Sequence, residues 1–246
     1  MPPGVRQLPP ALDGSWTTGR TRKPGEWLSS SPVLRTIVGS LNKISEHNYA
    51  TIRGRIIEVF VDRTLSPTDI CDAVLVKCYQ EDGYLPLYTR LIRDIQRSAA
   101  DSEAGEELDR CIAAFVEGMI DVDVSVELGV QGGGYDEFCM ASKRKRFAIG
   151  KNRTVLAFMR GSVIDAPKSH EYFGTLLSLL SRSVSGPEGH LELALDFVAD
   201  YVKAFPQLKR SDMMAMRRVF DDNVTPSCSP RCRFKMMDVY DTCRSN

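Results

Sequence analysis

Seven basic side chains fall between residues 141 and 160 with no acid among them: Lys143, Arg144, Lys145, Arg146, Lys151, Arg153 and Arg160. Charge at that density supplies affinity for phosphates without regard to base sequence, because long cationic side chains sweep a wide arc and displace counterions. Lys143, Arg144, Lys145, Arg146, Lys151 and Arg153 are the candidate RNA-contacting residues. On a helix they cannot all share one stripe, and the run reads equally well as a solvated helix start. It would then offset the stretch before it, Asp101 to Glu137, which holds eleven acids and one base.

Other spacings offer chemistry less convincingly. Asp121-x-Asp123 places two carboxylates on one face of an extended segment, beside Ser125 and Glu127, where a divalent cation could sit. We read it as an acidic solvated edge, and a metal-dependent hydrolase as the remote alternative. Ser40-x-x-Lys43 and Ser142-x-x-Lys145 match the serine–lysine hydrolase spacing without its companion motifs. The glycines at 132–134 have no following Lys-Ser/Thr and no strand–helix setting, so they are no phosphate loop. Cys71 and Cys78, and Cys228 and Cys232, each fall on one helical face. The three histidines (His47, His170, His190) lie near none of them in sequence, so buried thiols are expected and no metal or other cofactor. With no nucleophile elbow either, the sequence speaks against an enzyme.

The elements that must position these residues read as helices. The chain has 246 residues, 43% of them hydrophobic, and a formal net charge of zero, enough to bury a core without a gross electrostatic bias. No apolar segment follows Met1, and no run of eighteen apolar residues occurs. Reduced thiols and a cytosolic or nuclear setting follow as expectations. Residues 1–31 hold five prolines and four glycines and read as a flexible leader, with Trp16 and Trp27 either docking on a partner or packing on the domain.

From Ser31-Pro32 the apolar spacing is helical. Further starts are expected near His47, Ser66-Pro67, Pro86 and Glu106, then helices over about 136–162, 168–183, 188–204, 210–223 and 229–243. Ten helices joined by short linkers predict an all-α fold. An α-solenoid of about five HEAT-type antiparallel pairs over 32–246 is the first expectation, and a compact irregular bundle the second. The stretch 120–135 alternates like a strand and then runs into glycines. In an all-α setting it is expected to be irregular.

Several local patterns, in order, resemble the middle domain of the eukaryotic translation initiation factor 4G family. Ser40-Leu-Asn-Lys-Ile-Ser-Glu-His-Asn-Tyr49 is similar to its leucine–asparagine–lysine segment followed by an aromatic. Lys77, Glu81, Tyr84 and Tyr88 fall where the family has lysine, glutamate, phenylalanine and tyrosine. Leu108, Arg110, Cys111 and Phe115 resemble another of its helices. Arg144, Arg146, Gly150 and Arg153 resemble the basic start of its third repeat. Arg231, Arg233, Phe234, Asp238, Val239 and Asp241 resemble its closing helix. The chain departs from the family at Thr154, Leu156 and Ala157, and no cap-binding-protein motif surrounds Tyr49, Tyr84, Tyr88 or Tyr135.

The resemblance implies a cytoplasmic translation-initiation scaffold, either a divergent paralogue or a fragment. It would bind and stimulate a DEAD-box RNA helicase of the initiation factor 4A type, contact mRNA, and meet other initiation factors. Helicase contact would fall to Trp16, Leu41, Ile44 and Tyr49 at one end and Arg231, Arg233, Phe234 and Asp238 at the other. Core packing is an equal reading for the apolar members, and Arg231 and Arg233 could instead pair with Asp238 and Asp241. Scaffolds in mRNA decay, splicing or nuclear cap-binding complexes share the domain type, and a generic helical adaptor is the further alternative.

Overall fold

A computed structural model describes residues 31–120, 135–164, 166–186, 188–208, 210–224 and 228–244. Ten α-helices pack against one another, with no strand among the described residues. They are α1 (Pro32–Leu41), α2 (Tyr49–Val61), α3 (Pro67–Gln80), α4 (Leu85–Ser98), α5 (Glu103–Ile120), α6 (Tyr135–Arg160), α7 (Ala166–Ser183), α8 (Glu188–Ala204), α9 (Arg210–Val219) and α10 (Pro230–Arg244). A 3-10 turn, Asp82–Tyr84, leads into α4, and a π-turn, Phe220–Val224, follows α9.

Local chemistry explains several starts. Ser31 Oγ accepts from the Leu34 amide, and Ser66 Oγ from the Asp69 amide, each with proline in the first turn. Ser229 caps α10 through the Cys232 amide in the same way. The fifth helix begins at Glu103, three residues before the expected Glu106. Ser102 Oγ accepts from the Gly105 amide and satisfies one of the orphan donors of that first turn.

The order of contacts is simple. Odd-numbered helices touch the next odd one (α1–α3, α3–α5, α5–α7, α7–α9), and even-numbered helices the next even one (α2–α4, α4–α6, α6–α8, α8–α10). The chain thus forms two layers of helices with one apolar core between them, running from Leu34 to Val239. Cys71, Cys78, Cys228 and Cys232 are all buried in it. Close approach of α6 to α3 depends on Gly150. A Cβ there would lie 2.9 Å from the Tyr79 carbonyl carbon and closer still to its oxygen.

No described helix is long and apolar enough to cross a membrane. The expectations for the leader, Trp16 and Trp27, and for the aspartate pair and glycine run within 120–135, fall on residues 1–30 and 121–134, outside the described residues.

Candidate functional site

Successive even-numbered helices turn polar residues toward a shared hollow of about 830 Å³. Arg90, Arg93 and Arg97 lie on one face of α4, at the i, i+3, i+7 spacing that stacks side chains along a helix. Arg153 and Arg160, seven apart, face them from α6, while α2 adds Arg53 and α8 adds Lys203. Three carboxylates, Asp82, Asp94 and Asp200, line the same hollow. Seven cations against three acids leave it with an excess of four positive charges, and a concave low-dielectric wall concentrates that potential.

The acids are already engaged. Asp94 accepts from the Tyr49 hydroxyl at 3.0 Å and from Arg53 Nη1 at 3.3 Å. Burial, together with this bond to Asp94, pushes the Tyr49 hydroxyl well above the ordinary tyrosine range. Arg153 bridges Asp200 (2.9 Å) and Asp82 (2.5 Å), and the bond to Asp200 holds its guanidinium firmly protonated. Arg90 lies 4.2 Å over the Tyr49 ring and 3.4 Å from Glu46. Arg93, Arg97, Arg160 and Lys203 make no ion pair with any described residue. These four carry the uncompensated charge.

The wall between α4 and α6 has one further polar group. Thr89 is buried, and its hydroxyl oxygen has no hydrogen-bond partner. Elsewhere here a helical hydroxyl returns to the carbonyl four residues back, as Ser98 does to Asp94 and Thr154 to Gly150. The Thr89 methyl instead packs against Gly161, where a Cβ would sit 2.5 Å from it.

No family model matches the chain, and no solved structure matches it.

The basic run does not act as one surface. Lys143 and Arg146 are exposed, with Lys143 Nζ 5.7 Å from the Phe147 ring centroid, and Arg144 is half-buried. Lys151 is buried, and Lys145 is tied to Glu192 (3.3 Å) and Asp196 (3.5 Å) on α8. Only Arg153 reaches the groove, joined there by Arg160. The physical reason is the helix itself, which rotates each successive residue by about 100°.

Residues expected at a helicase contact divide similarly. Leu41, Ile44 and Tyr49 are core side chains at 0%, 3% and 3% exposure, so they hold α1 and α2 in place. Phe234 is 66% exposed, with Arg233 and Asp238 also at the surface. Arg231 pairs with Glu192 of α8 at 2.9 Å, so its partner comes from a neighbouring helix and is neither Asp238 nor Asp241. The Lys77–Glu81–Tyr84–Tyr88 set that carries part of the resemblance is a physical cluster. Lys77 pairs with Glu81 at 2.7 Å, and the Tyr88 hydroxyl donates to Glu81 Oε2 at 2.6 Å, with the Leu41 carbonyl 3.3 Å away. Tyr84 lies beside Tyr88, their ring centroids 6.4 Å apart.

Arg53, Arg90, Arg93, Arg97, Arg160 and Lys203 lie outside the candidate residues that the sequence nominates. The arginine triplet on α4 had a signal, its one-face spacing. Its meaning depends on α6 and α8 lying alongside, which no local pattern specifies. Among the described residues no cluster of three or more His, Cys, Asp or Glu could hold a metal ion.

Proposed function

We propose that this chain is a non-catalytic, cytoplasmic scaffold of the kind formed by the middle domain of initiation factor 4G. Five HEAT-type pairs (α1–α2 through α9–α10) make a stiff array that engages a DEAD-box helicase of the initiation factor 4A type. RNA is held along the even-numbered layer. A scaffold touching both helicase lobes shifts the balance between open and closed helicase with no chemistry of its own.

The observation that carries the RNA part is the groove, in which four cations from α4, α6 and α8 lack carboxylate partners. Exposed Phe234 and its neighbours on α10 support a protein contact at the far end of the array.

Fluorescence anisotropy with a ~20-nucleotide single strand, read against salt, tests the groove. Four phosphate contacts give a log–log slope of about −3. Replacing Arg93, Arg97 and Arg160 together by glutamine flattens that slope by about 2. An unchanged affinity and slope in the triple variant would move the RNA elsewhere. The helicase part is tested by the RNA-dependent ATPase of a 4A-type helicase, expected to rise on addition of the protein. No stimulation, together with no co-purification, refutes it and leaves a generic adaptor.

A further inference from the structure

We propose that the groove between α4, α6 and α8 is also a binding site for a compact polyphosphate, a small molecule with several clustered phosphates, which occupies it in competition with RNA. This rests on the reading that the groove binds phosphate groups, and it specifies the carrier.

The hollow has the volume of a small-molecule site. Its cations come from four helices onto one volume of about 830 Å³. Small-ligand sites occupy roughly 300–1,000 Å³. The excess of four positive charges is that of a ligand with three or more phosphates, and arginine forks grip phosphate oxygens two at a time. No aromatic ring lines the hollow among the described residues. Sequence-tolerant binding of single strands relies on base stacking as well as charge, and this wall offers only the charge.

The Thr89 hydroxyl is the second, independent observation. A buried hydroxyl without a partner costs free energy unless a ligand oxygen meets it. Thr89 lines the hollow, and its methyl fills the space that the absent Gly161 side chain leaves. Arg97 and Arg160 flank that wall without carboxylate partners. A hydroxyl donor among unpaired guanidinium groups suits a phosphate oxygen and is wasted on an apolar ligand.

Isothermal titration calorimetry at about 0.15 M salt tests this, with inositol hexakisphosphate, inorganic tripolyphosphate, ATP and inorganic phosphate as probes. Inositol hexakisphosphate and tripolyphosphate are expected to bind one to one and to displace a labelled RNA, with inorganic phosphate far weaker than either. ATP binding as tightly as tripolyphosphate assigns the nucleotide class. A clear preference for inositol hexakisphosphate assigns the polyol class. Thr89→Val is expected to weaken binding about tenfold, and Arg97→Gln and Arg160→Gln about tenfold each. The arginine variants lie on the surface and leave the core intact, so the test stands even if Thr89→Val is less stable.

RNA binding that weakens in the arginine variants, with no polyphosphate bound, overturns this inference and leaves the scaffold reading in place. Polyphosphate binding that none of the three variants alters places the site elsewhere and also overturns it. Binding of neither ligand class overturns both readings.

Discussion

Glycine-to-alanine substitution at three helical positions should give opposite signs for one chemical change. In a helix interior alanine is favoured over glycine by about 1 kcal/mol. Gly54 on α2 and Gly174 on α7 have nothing within 4 Å of a built Cβ, so Gly54→Ala and Gly174→Ala collect that gain. At Gly150 the same methyl meets the Tyr79 backbone, 2.9 Å from its carbonyl carbon and 3.1 Å from its Cα. Neither atom can swing aside as a side-chain tip would. The third and sixth helices must separate by a good fraction of an ångström, loosening a seam that includes the edge-on Tyr79–Phe147 pair. Overpacking of this kind costs about 1–3 kcal/mol, and backbone opposition puts it at the upper end. After subtracting the propensity gain, Gly150→Ala should lose about 2 kcal/mol.

For a chain of this length each kcal/mol moves Tm by about 2–4 °C. Circular dichroism melts are expected to show Gly54→Ala and Gly174→Ala rising by a few degrees and Gly150→Ala falling by roughly 4–8 °C. If Gly150→Ala melts at or above the parent, the close packing of the third and sixth helices is wrong, and with it the placement of the Arg153–Arg160 wall.

Glu192→Gln removes the charge that faces both Lys145 and Arg231, and because Arg231 can turn to solvent the loss should be about 1–2 kcal/mol in urea unfolding. Tyr49, Tyr79, Tyr88, Tyr172 and Tyr201 all have hydroxyls pushed above the ordinary tyrosine value by burial, Tyr201 to about 12. The folded state therefore keeps protons that the unfolded chain releases near pH 10. Stability is full below that pH and falls as pH climbs toward the folded values, so a urea midpoint constant from pH 9 to pH 12 would refute the burial of these rings. Cys139 is exposed while Cys71, Cys78, Cys111, Cys228 and Cys232 are buried. Peptide-mapped alkylation should label Cys139 at once and those five only at the rate of unfolding, and early labelling of Cys232 would argue against a docked α10.

What was legible in the sequence was local. Ser31-Pro32, Ser66-Pro67 and Ser229-Pro230 announce helix starts because cap and proline act within one turn, and all three caps form. The helical periodicity placed ten helices within a few residues of their bounds. The fifth begins at Glu103 because Ser102 caps it, a signal that carries no proline to mark it. The groove was illegible for a different reason. Its charges are diluted among core residues such as Leu87, Leu91 and Ile95, and they become neighbours only when α2, α4, α6 and α8 lie side by side. The dense run at 143–153 drew attention by composition, yet the helix sends Lys145 to an acidic partner, buries Lys151 and leaves Lys143 outside. Spacing on a face was the better guide than density along the chain.

Glu192, Asp196 and Asp200, four residues apart on α8, serve two neighbours at once. Lys145 and Arg153 reach the row from α6, and Arg231 and Lys235 reach it from α10. A seam shared in this way has no independent halves. Glu192 pairs with Lys145 and Arg231, and Asp196 with Lys145 and Lys235, so a charge lost from either is lost to the sixth helix and to the last helix alike. Glu192 and Asp196 can be exchanged only together with bases on both flanks, which makes them a bookmark of helix order: α8 fits only between these two neighbours.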